Sequence, residues 1–64
     1  MKTIKIQGDN AYVDITKSEL IVIRNSLTEV ISEIGGELRV RTGFYLEELE
    51  VILDAVVQAI KELE

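Results

Sequence analysis

Glu47, Glu48, Glu50 and Asp54 crowd four carboxylates into one short stretch of a 64-residue chain. Carboxylates so placed could hold a cation or work as an acid–base pair. A calcium loop needs its oxygen ligands at fixed positions around a glycine, and that pattern is not present. A hydrolytic pair needs one carboxyl raised by an apolar cleft, which a chain this short hardly offers. The hydroxyls of Thr16, Ser18 and Ser26 have no histidine to activate them. The chain contains neither histidine nor cysteine, which removes the usual general base and the usual transition-metal ligands. Gly35-Gly36 lacks the spacing and the lysine of a phosphate loop. Arg39, Arg41 and Thr42 stand beside Phe44 and Tyr45, the ingredients of a base-stacking platform. Two arginines are too few to drive this in a chain of net charge −5, and pairing with nearby glutamates is expected instead. The expectation is therefore no catalytic residue, no cofactor, no metal and no nucleic-acid ligand.

The remaining possibility is binding to protein, and the composition bounds how. Residues 1–64 make one domain. A chain of this size buries only about 60% of its unfolded surface and is marginal on its own. Without cysteine it has no disulfide, so oligomerisation is the remaining staple. Apolar residues are 47% of the chain, yet no run approaches the roughly 20 residues that cross a bilayer. Met1–Lys5 lacks the apolar stretch of a secretion signal. A cytoplasmic protein without a membrane partner is expected.

The elements that would position these side chains are legible in the pattern. Residues 2–7 alternate, with Ile4 and Ile6 on one side. Residues 11–15 alternate too, with Ala11, Val13 and Ile15 on one side. A two-residue loop at Asp9-Asn10 would pair Ile6 with Val13 and Ile4 with Ile15, a β-hairpin with one apolar face. Thr16-Lys17-Ser18-Glu19 is a capping box. Leu20, Ile23, Leu27, Val30 and Ile34 follow at helical spacing up to Gly35-Gly36, so the first helix spans about 17–34. Residues 37–43 fit either a short third strand, because Leu38 and Val40 alternate with polar residues, or one helical turn ending at Gly43. An extended or irregular segment is the favoured reading. A second helix begins near Phe44 or Tyr45 and carries the stripe Leu46, Leu49, Leu53, Val56, Ile60 and Leu63. Glutamates in its first turns suit the helix dipole. The fold class is α+β, in the order ββαα, with the hairpin packed on two antiparallel helices. Leu27 and Leu53 lie centrally on their faces and are expected to carry much of the stability.

Two surface features follow. Ile21, Val22 and Val51 lie off the main apolar faces and are candidate contacts of a homodimer. The charge is also unevenly spread. Residues 1–43 carry six basic and six acidic side chains, whereas residues 44–64 carry Lys61 against six acids, so the whole net charge of −5 lies in the second part. Glu47, Glu50 and Asp54 follow at spacings of three and four and form an acidic ridge opposite the apolar stripe, suited to a basic protein partner.

The segment Arg41-Thr42-Gly43-Phe44, followed by Glu47-Glu48-Leu49 and Ile52-Leu53, resembles a stretch of small uncharacterised bacterial proteins. Some of these look like immunity or antitoxin proteins. The likeness spans roughly residues 16–60 and rests on cap and turn chemistry. Those proteins favour Ser or Thr before the glutamate pair, where this chain has Tyr45-Leu46. The resemblance implies a capped helix, a short connection and a second helix, and a protein-binding inhibitor that blocks a basic partner. A self-associating assembly module is the alternative.

Overall fold

The computed structural model describes all 64 residues. Two strands, β1 (Lys2–Gln7) and β2 (Asn10–Asp14), form an antiparallel hairpin. Helix α1 (Lys17–Ile34) follows, then a single 3₁₀ turn (Gly35–Glu37), a short helix α2 (Leu38–Thr42) and a long helix α3 (Leu46–Glu62). This is the α+β, ββαα order that the sequence implies. Helices α1 and α3 pack side by side and run antiparallel, so that Lys17 at the start of α1 meets Glu64 past the end of α3, Nζ to Oε1 3.6 Å. No helix is long and apolar enough to cross a membrane.

The start of α1 is the capping box read from the sequence. The Glu19 amide donates to the Thr16 hydroxyl at 3.1 Å, and the Thr16 amide donates to the Glu19 carboxylate at 3.0 Å. Two of the helix's unpaired donors are thereby satisfied. The amino group of Met1 also reaches the Glu19 carboxylate and ties the start of β1 to α1.

The hairpin turns at Gly8-Asp9, one residue earlier than expected. Gly8 has φ 60° and Asp9 a negative φ, the combination of a type II′ turn, in which the first central residue is nearly always glycine. Gln7 then pairs with Asn10, Ile6 with Ala11 and Lys5 with Tyr12. A bulge at Ile4 shifts the ladder by one, so that Thr3 pairs with Val13 and Lys2 with Asp14. The expected pairs Ile6–Val13 and Ile4–Ile15 do not form. The earlier turn decides the first pair, and the bulge takes Ile4 out of the ladder.

The core is accordingly not where the alternation places it. Every residue of both strands is exposed, Ile4 at 68% and Ile6 at 66%, and only Ile15, beyond β2, is half-buried. The buried side chains are Leu20 of α1, Leu38 of α2 and Ile60 of α3. Leu27 and Leu53 are half-buried on the seam between the long helices. Neither is among the fully buried side chains.

The most deeply buried side chain is Leu38, 1% exposed. It belongs to segment 37–43, where the sequence favours an extended or irregular conformation; the structure forms the helical turn, α2, instead. Leu38 and Val40 alternate as in a strand, but a two-residue step on a helix is about 200°, which sends them to opposite sides. Leu38 goes inward and Val40 is almost wholly exposed. The Thr42 hydroxyl donates to the Leu38 carbonyl at 2.8 Å, and Arg41 pairs with Glu37 one turn back at 3.2 Å. Gly43, at φ 82°, ends α2 in the left-handed conformation that favours glycine and donates its N–H to the Arg39 carbonyl.

The molecule is thin for its mass. Its extents are 35 × 30 × 15 Å and its radius of gyration 13.2 Å. A compact chain of 64 residues has a radius near 10.7 Å by the usual scaling, about a fifth smaller. The accessible surface is 5078 Å². A folded monomer of this mass exposes about 4,100 Å², so roughly 950 Å² more than usual meets solvent.

Candidate protein interface

Helix α3 presents the acidic ridge. It starts without a side-chain cap: Tyr45 occupies that position, and the Glu48 and Leu49 amides bond only to its backbone carbonyl. Glu47 and Glu48 therefore sit beside uncapped helix amides, where the dipole favours negative charge. Glu47, Glu50 and Asp54 are all exposed, and none is within ion-pair reach of a cation. They run along the helix rather than converge, so their joint effect is a field along one edge.

Their position needs one correction. Counting about 100° per residue from buried Ile60, the three carboxylates fall on a flank of α3, and the site opposite Ile60 is taken by Val51. Val51 is 69% exposed. On α1, Val22 is 63% exposed and points away from Leu20 by the same count, while Ile21 is half-buried. Val22 and Val51 thus face outward from two helices that pack against each other. The structure does not bring them together into one patch.

The arginines of the connection are divided. Arg41 pairs with Glu37, as expected. The Arg39 guanidinium instead lies over the Tyr45 ring, 4.8 Å from its centre, which joins α2 to the first residue before α3. In the hairpin, Lys5 lies over Tyr12 at 5.8 Å.

One titrating group is clearly displaced. Glu19 is lowered from its ordinary value of 4.5 to about 2 by the Met1 amino group and by the Thr16 backbone and hydroxyl bonds. Its role is to fix the start of α1 against β1.

Sequence reasoning did not single out the exposed hairpin as a surface. Ile4, Ile6, Tyr12 and Val13 are at least two-fifths exposed, on two strands whose residues are all exposed. The available signal was the bare fact of two strands, since an isolated hairpin is marginal in water without more strands or a packed helix.

No protein-family model, curated protein or solved structure matches the chain.

Proposed function

We infer that this chain is a non-catalytic protein-binding domain whose α3 ridge engages a basic protein surface. The observation that carries this reading is the set Glu47, Glu50 and Asp54: exposed, unpaired, on one flank of a rigid helix, in the segment that holds all the net charge. A one-signed ridge of this kind raises the association rate of a basic partner and rejects acidic ones. An inhibitor of the immunity or antitoxin type, covering a basic active surface, is the form of this function that the resemblance implies. A cytoplasmic setting would suit it.

The test is to make Glu47→Lys, Glu50→Lys and Asp54→Lys together and to verify the fold by circular dichroism. Partners captured from the source cell should be lost from the variant, and their retention on the original chain should fall with added salt. Identical partners with identical salt dependence would place the binding surface elsewhere.

A second reading, self-association as a homodimer, is favoured by a separate observation. The roughly 950 Å² of surplus exposed surface is close to the 800 Å² or so that each partner buries in a standard stable interface.

A further inference from the structure

The two free edges of the hairpin differ. Strand β1 carries Lys2 and Lys5 and is interrupted by the bulge at Ile4. Lysines and bulges are the devices that keep a sheet edge from pairing with another chain. Strand β2, Asn10-Ala11-Tyr12-Val13-Asp14, has neither lysine nor bulge nor proline. The sheet ends there after two strands, fewer than a stable sheet in water needs.

The backbone pattern fixes which groups are open. The II′ turn directs the Asn10 N–H back to the Gln7 carbonyl. Hydrogen bonding then alternates along the ladder, so Asn10 and Tyr12 bond inward to β1 while the N–H and C=O of Ala11 and Val13 point outward. Helices α1 to α3 supply no backbone partner for them.

We propose that two copies of this chain join edge to edge through β2 into a four-stranded antiparallel sheet, with the twofold axis at Tyr12. This rests on the self-association reading and specifies its geometry. Antiparallel pairing about Tyr12 sets Ala11 against the second copy's Val13, two residues whose outward groups match, and each of the two such pairs exchanges both bonds. Asn10 then lies opposite the second copy's Asp14, an amide against a carboxylate, so no like charges meet. The same operation on β1 would bring lysines together. The cross-strand partners Ile6–Ala11 and Thr3–Val13 share one face of the hairpin. Across the twofold, Ile6, Ala11 and Val13 of the two copies become one apolar band. The single exposed hairpin thereby gains the strands and the side-chain neighbours it lacks.

The absence of native cysteine supplies a clean test. At a non-hydrogen-bonded antiparallel pair the Cα atoms are about 4.5 Å apart, within disulfide range. Tyr12 is half exposed, so Tyr12→Cys empties no buried site. Light scattering of the original chain should return twice its mass at high micromolar concentration. Mild glutathione oxidation should convert Tyr12→Cys almost wholly to a covalent dimer, and leave Thr3→Cys and Val51→Cys largely uncrosslinked. A monomer mass would overturn both self-association and the sheet. A dimer mass with Tyr12→Cys crosslinking no faster than Thr3→Cys or Val51→Cys would overturn the sheet alone and leave self-association standing.

Discussion

The hairpin and the helical pair use the same kinds of apolar residue and put them to different ends. In the helical region Leu20, Leu38 and Ile60, one from each of three helices, are shielded from water. In the hairpin Ile4, Ile6 and Val13 are ordered by backbone pairing but stay exposed. Hydrophobic content is therefore not what makes a core in this chain. What differs is the packing that each element finds: α1 and α3 lie against each other, whereas the two strands pair through their backbones and leave both faces exposed. The helical region buries a few side chains completely, and the hairpin leaves its apolar side chains exposed.

Substitutions can break this contrast, and the deepest is the most telling. Leu38→Ala should cost about 2–5 kcal/mol, since it empties the best-packed position in a chain whose total stability is low. Helical circular dichroism should be largely lost at 25 °C. An unchanged melt would show that Leu38 does not carry the packing that its burial implies. Leu27→Ala and Leu53→Ala, on half-buried side chains, should each fall short of Leu38→Ala. Next comes Gly43→Ala, which forces a side chain into left-handed backbone at φ 82° and should cost about 1–2 kcal/mol in a urea titration. Gly43→Asn should recover part of that loss. Thr16→Ala removes one half of the capping box and should cost about 1 kcal/mol, read as fraying of the first turn of α1 by amide exchange.

The hairpin should answer quite differently. Ile4→Ser touches an exposed bulge residue and should shift the melt by no more than about 0.5 kcal/mol. A loss of more than 1 kcal/mol or so would mean that the hairpin is covered in solution and would sharpen the case for a second copy.

The smallest expected effect is pH-dependent and lies at the junction between the two regions. The folded-state pKa of Glu19 is below its unfolded value, so its contribution to stability is present above pH 4.5 and is lost as pH falls toward 2. The first turn of α1 should loosen over that window, seen as line broadening of the Leu20 and Glu19 amides. In Glu19→Gln the same window should be flat.

The helices were legible in the sequence because their signals are local. The Thr16–Glu19 box and the three–four spacing of Leu20, Ile23 and Leu27 need only neighbours along the chain to take effect, and α1 begins and ends at the expected residues. The hairpin was legible in kind but not in register. Gly8-Asp9 and Asp9-Asn10 are both good two-residue loops, and nothing in the alternation marks the bulge at Ile4. The segment 37–43 misled for a physical reason: Leu38 and Val40 carry the period of a strand, while Thr42, Gly43 and the Glu37–Arg41 pair favour a helical turn. The ridge Glu47, Glu50 and Asp54 was readable because charge spacing on a helix is also local. Its place on the flank depends on which side α1 occupies, a long-range fact that spacing alone does not contain.

The aromatic rings make the two regions separately observable. The chain has no tryptophan and two tyrosines, one on each side of the divide: Tyr12 beneath Lys5 in the hairpin and Tyr45 beneath Arg39 at the mouth of α3. In a Tyr12→Phe chain the ultraviolet emission belongs wholly to the α2–α3 elbow, and in a Tyr45→Phe chain wholly to the hairpin. The molecule thus carries an intrinsic lamp in each half, and the order in which the two brighten or dim on warming tells which half lets go first.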